Sequence, residues 1–369
     1  MVEWKKLGEV CKRNKGIPIT AGQMSELAVP NGNVRVFAAG QTIADINGAD
    51  LPINCAYKKP SIIVKSRGYI DFEFYEKPFT HKNEMWSYSF DNKEQGKYIF
   101  YYLTTKTELF RKKARANSVK LPQLCVADTD NFYIPLPSLS EQERIVGILD
   151  TFTSSIENLK AQISLRRKQY EHYRDKLLDL EGKEGVEMKT LGEIGDVCMC
   201  KRIMKEQTSD NGEIPFFKIG TFGGQPDAFI SRELYEEYKT KFSYPKKGEI
   251  LISAAGTIGR SVIFDGEDAY FQDSNIVWIA NDEKQVINRF LYYLYQIAEW
   301  KTDGGTIKRL YNYNLKNTPI PLPSLEEQSR IVSILDEFEA SIKNLEAQLE
   351  AREKQYEYYR EKLLTFERE

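Results

Sequence analysis

The sequence predicts an α+β chain: two mixed α/β globules separated by two long α-helices that form an antiparallel coiled coil, arranged as a pseudo-two-fold internal repeat. Three observations predict it. IPLPSLSEQERIVGILD from Ile134 returns as IPLPSLEEQSRIVSILD from Ile320, identical at 14 of 17 positions. KQYEHYRDKLL at 168–178 returns as KQYEYYREKLL at 354–364, at the same offset of 186 residues. Between these signatures the apolar residues recur in steps of four and three, the period of a coiled-coil seam.

Each half opens alike, with VEWKKLGEVC at 2–11 and VEMKTLGEIG at 186–195. The order is therefore globule, helix, globule, helix, with a short junction EGKEG at 181–185. In the first globule VRVFAA (34–39), SIIVK (61–65), YIDFEF (69–74) and EMWSYSF (84–90) read as strands, and YIFYYLTTKTELFRKKARA (98–116) as a helix with a basic end. In the second, IPFFKI (214–219), EILIS (249–253), RSVIF (260–264) and SNIVWIA (274–280) read as strands, and VINRFLYYLYQIAEW (286–300) as a helix.

Each long helix has a start signal. Ser138 and Glu141, like Ser324 and Glu327, make S-x-x-E, in which the serine hydroxyl accepts from an orphan N–H and the glutamate reaches back to the cap. The preceding I-P-L-P enforces an extended approach, because residues before proline avoid the helical region. The first seam runs through Ile145, Leu149, Phe152, Ile156, Leu159, Ile163, Arg166, Tyr170, Tyr173 and Leu177. The second runs through Ile331, Leu335, Phe338, Ile342, Leu345, Leu349, Arg352, Tyr356, Tyr359 and Leu363. About 40 residues give a rod of about 60 Å. Arg166 and Arg352 occupy the same seam layer, either as a register or partner-contact device or as arginines that snorkel to solvent. Gln142 and Gln328 read either as partner contacts or as supports of the helix cap.

Composition bounds the chemistry. Five cysteines form no CxxC pair and there are only two histidines, which argues against zinc sites, disulfide frameworks and histidine catalysis. No long apolar run exists and the first residues lack a leader-like stretch, so a cytoplasmic protein with no membrane contact is expected. The net charge of −2 conceals an asymmetry: residues 1–139 carry 20 Lys+Arg against 14 Asp+Glu, whereas 326–369 carry 7 against 12. Pro226-Asp227 followed by Glu237-x-Lys239 imitates a metal-dependent nuclease pattern, but EEYK lies in a charged, helix-like run and the first globule has no counterpart. Neither a P-loop nor a nucleotide-binding Gly-rich turn is present, so no enzymatic activity is expected of this chain.

The doubled proline-led helix start, each copy followed by a helix ending near KQYE-x-YR-x-KLL, resembles the conserved regions of type I restriction-modification specificity subunits. YPKKGEILISAAGTIGRSVIF (244–264) is similar to that family's Gly-rich hairpin; in the first half KSRGYID places Asp71 where the last glycine belongs. The resemblance spans the chain and implies target-recognition domains at 1–137 and 183–323, with spacer helices at 138–182 and 324–369. It implies a non-catalytic subunit that selects a two-part asymmetric target in double-stranded DNA, one half-site per recognition domain. It further implies methyltransferase subunits, two of them, and restriction/translocase subunits assembled on it. S-adenosylmethionine, ATP and Mg²⁺ would then be used through those partners, with no cofactor bound by this chain.

A like scaffold bearing unlike globules suits two different half-sites, and the rod suits a ruler for the gap between them. Inserting a heptad into 145–177 would then lengthen the required spacer. Candidate DNA contacts cluster near permissive glycines. In the second half these are Gly256, Thr257, Gly259 and Arg260 of the hairpin, then Gln272 and Asn275, then Lys308 and Arg309. In the first half they are Lys65, Ser66, Arg67 and Tyr69, then Lys82, Asn83 and Lys120. Arg111, Lys112, Lys113 and Arg115 form a basic end able to reach phosphates. A competing class is a non-DNA coiled-coil scaffold displaying two protein-binding globules, which the slightly acidic total charge leaves open.

Overall fold

The structure, a computed structural model, describes residues 2–52, 55–118, 120–303 and 308–367. The chain divides into two compact units: Met1–Ala161 with Ala347–Glu369, and Gln162–Glu346. Each unit therefore combines one globule with the N-terminal part of the long helix that follows it and the C-terminal part of the other long helix.

In the first unit a four-stranded antiparallel sheet is ordered Lys12–Lys15, Trp86–Ser89, Ser61–Lys65, Asp71–Tyr75. A three-stranded sheet is ordered Ile43–Ile46, Val34–Phe37, Phe79–His81, its second pairing parallel. The second unit repeats this plan. Its four strands are Val197–Cys198, Ile276–Ile279, Ile250–Ser253 and Ser261–Ile263, and its three are Phe229–Ile230, Ile214–Phe217 and Tyr270–Phe271. The central strands SIIVK and ILIS are buried on both faces, which explains their near-continuous apolar reading. Lys12–Lys15 and Phe79–His81 escape the sequence reading, because KRNK is polar and FTH is too short to show a period.

The I-P-L-P segments are strands as well as approaches. Tyr133–Leu136 pairs antiparallel with Glu3–Lys6, and Pro319–Leu322 with Glu187–Thr190. The similar openings of the two halves are thus the partner strands of the similar helix starts. Proline is tolerated because each ribbon has only two strands and needs no donor on its free side.

The predicted helix over 98–116 is two helices, Lys93–Thr105 and Thr107–Asn117, broken where Lys106 adopts φ −105°, ψ 6°. The first starts upstream of the apolar run because the Asn92 side chain caps it, accepting from Gln95 N at 3.1 Å.

The long helices are Leu139–Leu178 and Leu325–Leu364. Ser138 Oγ accepts from Glu141 N at 3.4 Å and Ser324 Oγ from Glu327 N at 3.2 Å. The glutamates do not complete the expected box: Glu141 and Glu327 instead accept from Nε and Nη2 along one edge of the Arg144 and Arg330 guanidinium groups, at 2.6–2.8 Å. A bidentate ion pair outcompetes a single backbone N–H. Within each unit the two helices run antiparallel. Phe152 packs on Tyr356 and Tyr359 and Lys160 pairs with Glu353 in the first; Tyr173 packs on Phe338 and Arg167 pairs with Glu346 in the second. Ile145, Leu149, Ile156, Ile163, Ile331 and Leu335 of the predicted seams are buried.

Candidate nucleic-acid interface

The hairpin of the second unit joins Ile250–Ser253 to Ser261–Ile263 through AAGTIGR. Gly256 and Gly259 take φ of +64° and +83°, the left-handed region that glycine reaches without Cβ strain. A Cβ on Gly259 would lie 2.2 Å from Trp300 Nε1, so this glycine admits the indole rather than an external ligand. Ser253 Oγ accepts from Arg260 N at 2.9 Å and donates to Thr257 O, closing the turn. Thr257 and Arg260 are exposed, yet Arg260 Nη1 donates to Phe222 O at 2.9 Å and so ties the hairpin to the next loop.

Beside the hairpin lies an open groove of about 1130 Å³. It collects Gln272, Asn275 and Arg309, as expected from the sequence, with Arg202, Lys205, Lys218, Tyr311, Asn312 and Tyr313, which the sequence reading did not single out. The hairpin and the groove are continuous: Ala254 N donates to Asn275 O at 2.7 Å and Leu310 N donates to Ala254 O at 2.9 Å. Arg309 Nη2 donates to Ser274 O and Asn275 Oδ1, both at 2.9 Å. Gln272 Oε1 accepts from Ile219 N at 2.9 Å, so its amide positions a loop as well as lining the groove. Arg202 pairs with Asp273 and Lys218 with Asp227, each at 2.8 Å, while Lys205 and Lys308 are exposed. Tyr311 and Tyr313 stack at 6.2 Å and are 44 % and 56 % exposed. Residues 304–307 ahead of Lys308 lie outside the described residues.

The nuclease-like pattern does not converge. Asp227 faces the groove on Lys218, whereas on the helix Arg232–Lys241 Glu237 pairs with Lys241 and Lys239 with Tyr235, Lys239 also reaching Asp268 ahead of the strand Tyr270–Phe271. Among the described residues no cluster of His, Cys, Asp and Glu is placed to hold a metal.

In the first unit the corresponding turn brings together two of the predicted groups. Gly68, at φ +76°, and Tyr69 share a pocket of about 420 Å³ with Arg111 and Arg115 of the basic helix end. Arg111 stands 5.5 Å over the Tyr69 ring, donates to Ile70 O at 3.1 Å, and is held more firmly protonated by its hydrogen bond to Glu108. Arg67, Asn83, Lys112, Lys113 and Lys120 are exposed.

Three first-half assignments, Ser66, Lys65 and Lys82, are corrected by burial or pairing. Ser66 is 1 % exposed and donates to Glu84 O at 2.6 Å; its side chain fixes the turn and faces no ligand. Lys65 pairs with Glu73 at 2.8 Å and Lys82 with Glu84 at 3.1 Å, which neutralises both. Asp71, in the place of the last glycine, begins the strand and accepts from Phe72 N through its own carboxylate. For the helix-start glutamines the structure favours the second of the two readings, support of the helix cap, over partner contact. Gln142 and Gln328 are 2 % and 0 % exposed and donate to Pro137 O and Pro323 O at 2.8 and 2.9 Å, so they close the helix starts from within and offer no partner surface. Gln328 also links to Gln285 O and Ile287 N. Arg166 and Arg352 lie over Phe338 and Phe152, at 5.7 and 5.6 Å, rather than extending freely to solvent.

No helix among the described residues is long and apolar enough to cross a membrane. The family model for the type I restriction modification DNA specificity domain matches residues 1–166 and again 183–352. A putative type I restriction enzyme specificity subunit of Haemophilus influenzae is 43 % identical, over 99 % of this chain and 96 % of its own. A type I restriction enzyme specificity subunit of Escherichia coli is 30 % identical, over 99 % and 94 %. A crystal structure of a type I restriction-modification S subunit from M. genitalium shares the fold, with a TM-score of 0.66 at 18 % identity, covering 100 % of this chain and 97 % of that one. Two family matches on one chain, each spanning a globule and most of the helix after it, account for the internal repeat: this chain belongs to the type I restriction-modification DNA specificity subunits.

Proposed function

We propose that each globule reads one half of a two-part, asymmetric target in double-stranded DNA, and that the paired helices carry two methyltransferase subunits and the restriction/translocase subunits. One observation carries this reading: the helix starts repeat the same capping bond and ion pair while the surfaces that the scaffold bears are not repeated. Gln142 and Gln328 make the same bond to the same proline carbonyl, and Glu141–Arg144 and Glu327–Arg330 the same ion pair. The hairpin turn nevertheless shares a pocket with Arg111 and Arg115 in one globule, whereas in the other Ala254 joins it by hydrogen bonds to Asn275 and Leu310 of the tyrosine-lined groove. A binder of a symmetric site needs two like readers; unlike readers suit unlike half-sites.

The chain then works as a recognition subunit without catalytic groups, placed in the cytoplasm with the DNA. S-adenosylmethionine, ATP and Mg²⁺ enter through its partners. Modified-base sequencing of cells with and without this chain tests the proposal. A two-part methylated motif that vanishes on deletion is expected; an unchanged set of modified motifs refutes it.

A further inference from the structure

We propose that Pro122–Leu124 and its repeat counterpart Lys308–Leu310 are matching base-reading ledges, one for each half-site; this rests on the DNA-reading function proposed above. The backbone reaches each ledge in the same way. Leu124 N donates to Ser66 O at 2.8 Å, and Leu310 N donates to Ala254 O at 2.9 Å. Each ledge is thus laced to the residue at which the chain leaves the buried central strand for its hairpin turn. Leu124 and Leu310, both 2 % exposed, pin it from below. The short helices Val126–Asp130 and Asn312–Lys316 follow, then the strands Tyr133–Leu136 and Pro319–Leu322, all at the repeat spacing of 186 residues.

A backbone held at its leucine by the same bond in both units carries different chemistry. Before the leucine stands Gln123 in the first unit and Arg309 in the second. Gln123 is exposed, and its main chain bridges to Arg67 on the hairpin turn. Arg309, which lines the tyrosine-lined groove, is tethered to Ser274 O and Asn275 Oδ1, leaving the exposed Lys308 next to it in the chain as the free cation of this ledge among the described residues. An amide offers the paired donor and acceptor that match the major-groove edge of adenine, whereas a cation matches the two acceptors of guanine. Equivalent ledges with unlike side chains are what an asymmetric target requires.

The test is modified-base sequencing of cells expressing the full-length chain with its methyltransferase partner, as wild type and as Gln123→Ala, Gln123→Glu and Lys308→Ala. Both ledge positions are exposed, and thermal unfolding of each purified complex checks that the fold persists. Each variant is expected to lower discrimination about tenfold at one position in one half of the motif. The two Gln123 variants should act on the same half and Lys308→Ala on the other, with the remaining half unchanged. A wild-type chain yielding no two-part motif would sink the DNA-reading function itself. A wild-type motif retained by folded variants with every position as stringent as before, or with both halves weakened equally, overturns the ledges alone.

Discussion

The Arg166 guanidinium lies 5.7 Å from the ring centroid of Phe338, and its repeat counterpart Arg352 lies 5.6 Å from that of Phe152. Each pair joins the two antiparallel helices within one compact unit, at the same seam layer. Phe152 also stacks on Tyr359 at 5.4 Å, so the ring contributes packing as well as a cation-binding face. Phe152→Ala is expected to cost about 2–3 kcal/mol and Arg352→Ala about 0.5–1 kcal/mol. Urea unfolding of both single variants and the double variant measures their coupling; strictly additive losses would deny the stacking any role.

A second repeated device anchors each globule to its helix. Asp150 accepts from Lys97 Nζ at 2.5 Å and from Tyr101 OH at 2.6 Å, and Asp336 accepts from Arg289 Nε and Tyr293 OH, both at 2.6 Å. In both cases a cation and a tyrosine one helical turn apart grip a carboxylate at equivalent helix positions. Partial exposure screens the ion pairs, so Asp150→Ala or Asp336→Ala is expected to cost about 1–2 kcal/mol. Thermal unfolding decides it, through a lowered midpoint for each variant.

His81 is fully buried, stacked on Tyr57 at 6.1 Å, with its ring 3.1 Å from Ser87 Oγ through Nε2. Burial holds its pKa down to about 4. An unfolded histidine titrates near about 6.5, so between these values the unfolded chain binds a proton that the folded chain refuses. Stability is therefore whole above pH ~6.5, falls by about 3 kcal/mol as the pH drops towards ~4, and flattens below. Denaturant unfolding of wild type and His81→Gln across this range should show a shallower slope for the variant; parallel curves would contradict the assignment.

Gly259→Ala places a Cβ against the Trp300 indole at a backbone angle of φ +83°. Rearrangement of the hairpin is expected to cost about 1–3 kcal/mol. On the proposed DNA-reading function, the loss in the methylation assay should fall on the half-site assigned to the second globule alone. A variant with wild-type stability would show that the indole moves aside freely.

The amino-acid sequence by itself determined the duplication, the long helices and eight of the eighteen strands among the described residues, those with the strongest apolar runs, because these follow from short-range rules. Apolar period, proline-led extension and serine caps are local properties of the chain. It also marked the hairpin turns and Arg309, through glycines and cations close in sequence. Only the tertiary structure decided that Ser66 is sealed inside, that Lys65 and Lys82 are neutralised by glutamates, and that Gln142 and Gln328 face inward. A residue's partner across a sheet or beneath a loop is set by packing between distant segments, which no local pattern encodes. The same holds for the groove, where residues near 202, 273 and 311 meet only after the sheets have formed. Gln123 carries no motif at all; it stands out only because the fold places it at the same ledge as Arg309.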